Sequence, residues 1–371
     1  VMRPITDKHQ VSRAKLAYLI DATAAPVCII APISSWAAAV TGFVEGEDGF
    51  SIFLRAIPFN YYALLTILTM VLLVVLKVDY GSMRVHEDNA LRGDIYTTPD
   101  RPYADAQDDV VEEKGGVIDL VFPILVLIGC CIIGMLYSGG FFSGVSFVEA
   151  FSASDASVGL MLGSFFAFVI TVIFYALRRV LKFTDSMACI PDGFKAMVPA
   201  ILILTFAWTL KAMTDSLGAA EYVAGVMETA ATGLVNFLPA IIFLVGCFLA
   251  FATGTSWGTF GILIPIVVAV FQGTNETMMI ISISACMAGA VCGDHCSPIS
   301  DTTIMASAGA QCNHVNHVST QLPYAMTVAA VSFVTYVIAG FVQNAWICLP
   351  IGIVLMTGTL FVIRAITGKE E

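Results

Sequence analysis

"GDHCSPISDTT", residues 293–303, sets two aspartates, a histidine and a proline inside a chain that is otherwise strongly apolar. Of its 371 residues, 58% are hydrophobic and only 12% charged, and the mean hydropathy is +0.87. These values lie outside the range of soluble globular domains, so the chain reads as a membrane protein. Its apolar runs are long and contain helix formers and glycine, not the ten-residue alternation of an outer-membrane barrel. The expected fold class is therefore an all-α polytopic membrane protein.

Working outward from 293–303, apolar segments are expected at 16–41, 57–77, 117–138, 157–177, 196–215, 236–253, 257–272, 277–293, 322–342 and 346–363. Three stretches interrupt the pattern. "DATAAPVCIIAPISSW" (21–36) carries two prolines, "FATGTSWGTFG" (251–261) carries three glycines and four hydroxyls, and 293–303 carries Gly293 and Pro298. Broken backbone at membrane depth is tolerated only where protein or a polar cavity satisfies its amides, so these breaks point to a transport pathway.

Basic residues alternate along the chain. Arg3, Lys8, Arg13 and Lys15 precede the first segment, Lys77 to Lys114 follow the second, and Arg178, Arg179, Lys182 and Lys195 follow the fourth. Loops 41–54 and 139–156 carry none, so the basic loops are expected on the cytoplasmic side. The net charge of -11 comes largely from one region: residues 79–119 hold eleven Asp/Glu against four Lys/Arg, a balance of -7. That polar region reads as a solvated linker. Ten cysteines are scattered through apolar runs as small buried hydrophobes, and CGDHC lacks the separated ligand pairs of a zinc site.

An unwound 293–303 stretch can turn Asp301, Ser297, Ser300, Thr302, Thr303 and freed carbonyls toward one point, an oxygen shell suited to sodium. Asp301 is the first candidate for a sodium-binding carboxylate and Asp294 the second, because acids inside membrane segments are costly and usually functional. Removing a carboxylate from water penalises its charged form, so proton and cation compete for it. The plain alternative, that either aspartate only caps a half-helix, is compatible with that role. His295 reads equally as a proton relay and as a hydrogen-bond partner. Thr255 and Ser256 read as neutral ligands at a re-entrant tip, and Asp21 as a counterpart in the first broken segment. Lys211 and Asp215 read as a helix-stabilising pair. "HQVSRAKLAY" (9–18) is echoed by "NHVSTQLPY" (316–324), the first copy basic and the second not, as inverted repeats facing opposite sides would be.

"MRPITDKHQVSRAKLAYLIDATAAPVCIIAPISSW" (2–36), "ATGTSWGTFGILIPI" (252–266) and "CGDHCSPISDTTIMAS" (292–307) together resemble the NhaC-type sodium/proton antiporter family. The resemblance implies an inverted-repeat transporter with broken helices and a re-entrant hairpin, exchanging sodium for protons in a bacterial inner membrane. It carries the family's motifs onto Asp294, Ser297, Pro298, Ser300, Asp301, Thr302 and Thr303, and onto Gly254, Thr255, Ser256 and Trp257. It also implies a first-repeat segment upstream of Val1, so the chain is expected to be truncated at its N-terminus.

The division expected is 1–78 for the remainder of the first repeat, 79–116 for the acidic soluble loop, 117–364 for the second repeat with its transport core at 236–342, and 365–371 for a tail. Expected partners are the lipid bilayer, sodium ions and protons, with a homodimer allowed, no nucleic acid and no cofactor. An organic-acid exchanger of the malate/lactate type is the alternative within the same fold. An intramembrane enzyme using Cys292, His295 and Cys296, and a passive channel, are the weaker readings, since neighbours in sequence rarely face one centre.

Overall fold

A computed structural model describes residues 2–32, 34, 36–37, 40, 49–99, 115–217, 234–271 and 273–367, which are helical with no strand among them. Among the described residues six helices are long and apolar enough to cross a membrane, or up to seven if Gly49–Phe59 and Tyr61–Leu76, bent by 45°, form one span. The helices are α1 (Arg3–Lys8), α2 (Arg13–Cys28), α3 (Gly49–Ala56), α4 (Tyr61–Leu76), α5 (Ser82–Leu91), α6 (Val117–Ser138), α7 (Phe147–Ser152) and α8 (Ala156–Arg178). They continue as α9 (Phe183–Ser216), α10 (Leu238–Thr253), α11 (Ser256–Phe271), α12 (Glu276–Cys296), α13 (Asp301–Ala310), α14 (His314–Val342) and α15 (Ala345–Thr367).

Two compact units result. One comprises Val1–Ala31, Ile52–Asp105 and Leu202–Glu371, the other Pro32–Ser51 and Ala106–Ile201. This partition cuts across the division expected from sequence, because α2 packs against α4, α13 and α14 instead of belonging to a separate N-terminal block. The expected tail at 365–371 also begins inside α15.

The first unit is organised around α12, in which every residue from Met278 to Cys296 is buried. A helix apolar or small on all sides can only be stable when surrounded. Asn275 starts it by accepting a hydrogen bond from Met278 N at 3.0 Å. Gly289 and Gly293, four residues apart, let α10 approach closely: a Cβ on either would collide with the carbonyl oxygens of Phe243 or Cys247. This is the small-residue spacing by which membrane helices bring backbones together. Gly293, read from sequence as part of the break, is therefore a packing residue inside an intact helix.

Residues 79–99 are not a solvated linker. They contain α5, whose Met83, His86 and Ala90 are buried, and they fasten onto the helices beneath. Asp79 pairs with Lys15 and accepts from Tyr324 Oη at 2.5 Å. Glu87 accepts from Ser12 N at 2.9 Å, Ser82 Oγ donates to Ser319 O at 2.7 Å, and Asn316 Nδ2 donates to Thr98 Oγ1 at 2.7 Å. Local composition missed this because the partners lie elsewhere in the chain. The rest of the acidic stretch, 100–114, lies outside the described residues, as do the side chains of Lys211 and Asp215 and most of 33–48.

The second unit pairs α6 with α8 through Gly134, Gly159 and Gly163, where a Cβ would strike the facing backbone. Asp119 ties their ends together, pairing with Arg178 at 2.7 Å while its carbonyl accepts from Tyr175 Oη at 2.7 Å.

Candidate ion-binding site

Two helix breaks meet in the first unit. The chain leaves α10 through Gly254, at φ 65°, and restarts as α11 at Ser256. It leaves α12 at Ser297 and restarts as α13 at Asp301. A Cβ on Gly254 would lie 2.9 Å from the Ile299 carbonyl oxygen, so glycine serves both the left-handed backbone and the contact between breaks. Ser297 Oγ donates to Phe251 O at 2.9 Å, satisfying a carbonyl in the last turn of α10. Thr255 Oγ1 accepts from Gly258 N at 3.3 Å and caps α11. Ser256 is buried beside it.

The hydroxyls after Pro298 gather around Asp294. Thr302 Oγ1 donates to Asp294 Oδ2 at 2.8 Å, Ser300 Oγ lies 2.9 Å from Thr302 Oγ1, and Thr303 Oγ1 donates to Asp294 O at 3.4 Å. Asp294 is fully buried, and its Oδ1 has no hydrogen-bond partner in the protein. Asp301 is placed differently. It begins α13, is only partly buried, and its Oδ1 accepts from Thr302 N at 2.9 Å. The helix that runs through Gly293 carries Asp294 into the interior, whereas the break returns Asp301 to the rim.

Asp21 lies in an adjacent polar cluster. Its Oδ2 accepts from Gln321 Nε2 at 2.8 Å and faces His317 Nε2 at 3.3 Å. His295 joins the two groups. Its Nε2 lies 3.1 Å from Asp21 O and 3.6 Å from Asp21 Oδ1, and its Nδ1 lies 3.1 Å from Tyr62 Oη. A backbone carbonyl only accepts, so Nε2 carries the hydrogen and Nδ1 accepts from Tyr62. Gln321 Nε2 also donates to His295 O at 2.6 Å. Composition did not single out His317, Gln321 or Tyr62. The first two lie within the 316–324 echo, whose closing Tyr324 meets Tyr18 edge to face with centroids 5.0 Å apart. Tyr62 sits unmarked in an apolar run.

The far end of α13 is held as well. Buried Arg13 donates to Ala310 O at 2.8 Å and pairs with Asp7 at 2.8 Å. A cation on the terminal carbonyls of a short helix fixes its direction, so α13 is anchored at both ends.

Membrane-length helices, two mated breaks and buried carboxylates define a multi-pass helical membrane protein. The family model described as the Na+/H+ antiporter family matches residues 16–341, and the chain belongs to that family, whose members are transporters. It is 37% identical over 361 residues to an uncharacterized protein of Haemophilus influenzae, covering 93% of this chain and 67% of that one. It is also 26% identical over 168 residues to the malate-2H+/Na+-lactate antiporter of Bacillus subtilis, and 28% identical over 164 residues to an uncharacterized Na+/H+ antiporter of Haemophilus influenzae. Those two matches cover 44% and 43% of this chain, and 34% and 33% of the relatives. No solved structure matches the chain.

Proposed function

We propose that the protein exchanges sodium for protons across a bacterial plasma membrane, with Asp294 as the carboxylate that sodium and a proton occupy in turn. The observation that carries this reading is the fully buried Asp294, with one unpartnered oxygen, beside the hydroxyls of Ser300, Thr302 and Thr303 at the meeting of two helix breaks. Hydroxyl and carbonyl oxygens with one carboxylate suit a hard monovalent cation. Among the described residues no group of three or more His, Cys, Asp or Glu side chains is placed to hold a metal ion, so neutral oxygens would supply the rest of the shell. Asp301 takes a secondary part at the mouth, and Thr255 and Ser256 line the facing break. Asp21 stands outside the cation shell. The inverted relation of two repeats and an alternating exposure of this site belong to the same proposal.

Exchange of organic acids is the second reading, favoured by the relative named a malate-2H+/Na+-lactate antiporter. Against it, the hydrogen bonds that Asp294 accepts from α13 come from the neutral hydroxyls of Thr302 and Thr303. Both are tested in everted vesicles acidified inside, with a pH dye reporting proton exit. Sodium-driven exit that is lost in Asp294→Asn and kept, at higher half-saturating sodium, in Asp301→Asn supports the assignment. The reverse pattern moves the shared carboxylate to Asp301. Silence with sodium but a response to malate or lactate selects the organic-acid reading.

A further inference from the structure

We propose that His317 and Asp21 form a proton-binding site separate from the Asp294 cation site, so that transport carries a proton that sodium does not displace. This rests on the antiport reading and adds to it a second cargo position.

His317, Asp21 and Gln321 are all fully buried. His317 Nε2 points at Asp21 Oδ2 at 3.3 Å, and because the carboxylate only accepts, the hydrogen sits on Nε2. Its Nδ1 then offers a bare lone pair, and that atom has no hydrogen-bond partner. Asp21 Oδ1 and Gln321 Oε1, one helical turn from His317, are likewise unpartnered. Of the three, His317 Nδ1 is the atom that can take a proton while Nε2 keeps its hydrogen toward Asp21. A proton there sets a cationic ring against the Asp21 carboxylate, the pairing that a buried charge requires.

His295 is the less suitable carrier, since both of its nitrogens are engaged, with Asp21 O and Tyr62 Oη. The ionisable groups facing Asp21 are Asp294, His295 and Cys296 of α12, Asp301 of α13, His317 of α14 and Tyr18 on its own helix. Of these only His317 combines a direct contact with the carboxylate and a free nitrogen. Gln321 Nε2 donates both to Asp21 Oδ2 and to the His295 carbonyl beside Asp294.

The test uses the full chain in proteoliposomes, with sodium and proton fluxes measured together. His317→Gln keeps an N–H for Asp21 and cannot take up a proton. Expected is sodium transport that continues with one proton fewer per sodium; an unchanged ratio overturns the proposal. Should His317→Gln fold poorly, Asp21→Asn is measured the same way. Proton uptake by the purified protein in a sodium-free acid jump gives a readout independent of transport. Wild type should take up one proton more than His317→Gln, and equal uptake overturns the site. Loss of exchange in wild type with the uptake difference intact would sink the antiport reading and leave the proton site standing.

Discussion

At Thr302 one hydroxyl decides the character of the candidate site, because it reaches Asp294 Oδ2 at 2.8 Å while the amide of the same residue holds Asp301. Thr302→Val keeps the shape and removes the oxygen. A hydrogen bond to a charged group is worth about 1.5–3 kcal/mol, which corresponds to roughly a tenfold or larger change in an equilibrium constant. The half-saturating sodium concentration in a vesicle assay should rise by about that factor, and Thr302→Ser should restore it. That aspartates and hydroxyls share a helix break here was legible in 293–303. Which of the two lies at the centre was not, because that depends on α12 continuing helically to Cys296 before the chain breaks.

Among the elements, α10 and α12 are held together by absent side chains. Gly293→Ala would push its methyl into the Cys247 carbonyl and force the helices apart. Overpacking of this kind costs about 1–3 kcal/mol, so the melting temperature in detergent should fall. Gly309, in α13 with nothing near its Cβ position, is the control; Gly309→Ala should leave stability level or raise it by up to about 1 kcal/mol through helix propensity.

The docked α5 carries a different prediction. Burial pushes the His86 imidazole below its ordinary value, against a smaller opposing pull from the Asp94 charge. The folded pKa is thus the depressed one. Docking is fully stable above the unfolded value of about 6.5 and weakens as the pH falls below it toward the folded value. Hydrogen exchange at 82–91 should show protection at about pH 7.5 that declines by about pH 5.5; His86→Leu, which stays buried and cannot titrate, should flatten the difference. The basic residues at the start of α2 belong to the same fastening. Arg13 and Lys15 read in sequence as topology signals, and the fold gives them a second task, pairing with Asp7 and Asp79.

For the molecule as a whole, α6 and α8 each have the length of a span, so residues 139–155 and 179–182 are expected at opposite membrane faces. No Lys or Arg occurs in 139–155, whereas Arg179 and Lys182 follow α8, so 179–182 is expected on the cytoplasmic side. In a background with the exposed native cysteines replaced by serine, Ser143→Cys should react with an impermeant maleimide from outside and Lys182→Cys from inside. The same side of labelling for both would refute this orientation.

Hydropathy alone determined that this is a helical membrane protein and where most of its helices run, because burial in hydrocarbon is a sum over some twenty consecutive residues. Gly254 and Pro298 likewise marked helix breaks, since they act on their own backbone, whereas Pro26 and Gly293 lie inside continuous helices. Tertiary structure decided the rest: Asp294 over Asp301 at the centre of the hydroxyl cluster, His317 against Asp21 from 296 positions away, residues 79–99 fastened instead of solvated, and two units that cross the expected division. Each of those outcomes is a contact between distant segments, and a buried polar atom's partner is fixed by where helices pack, not by its neighbours in the chain.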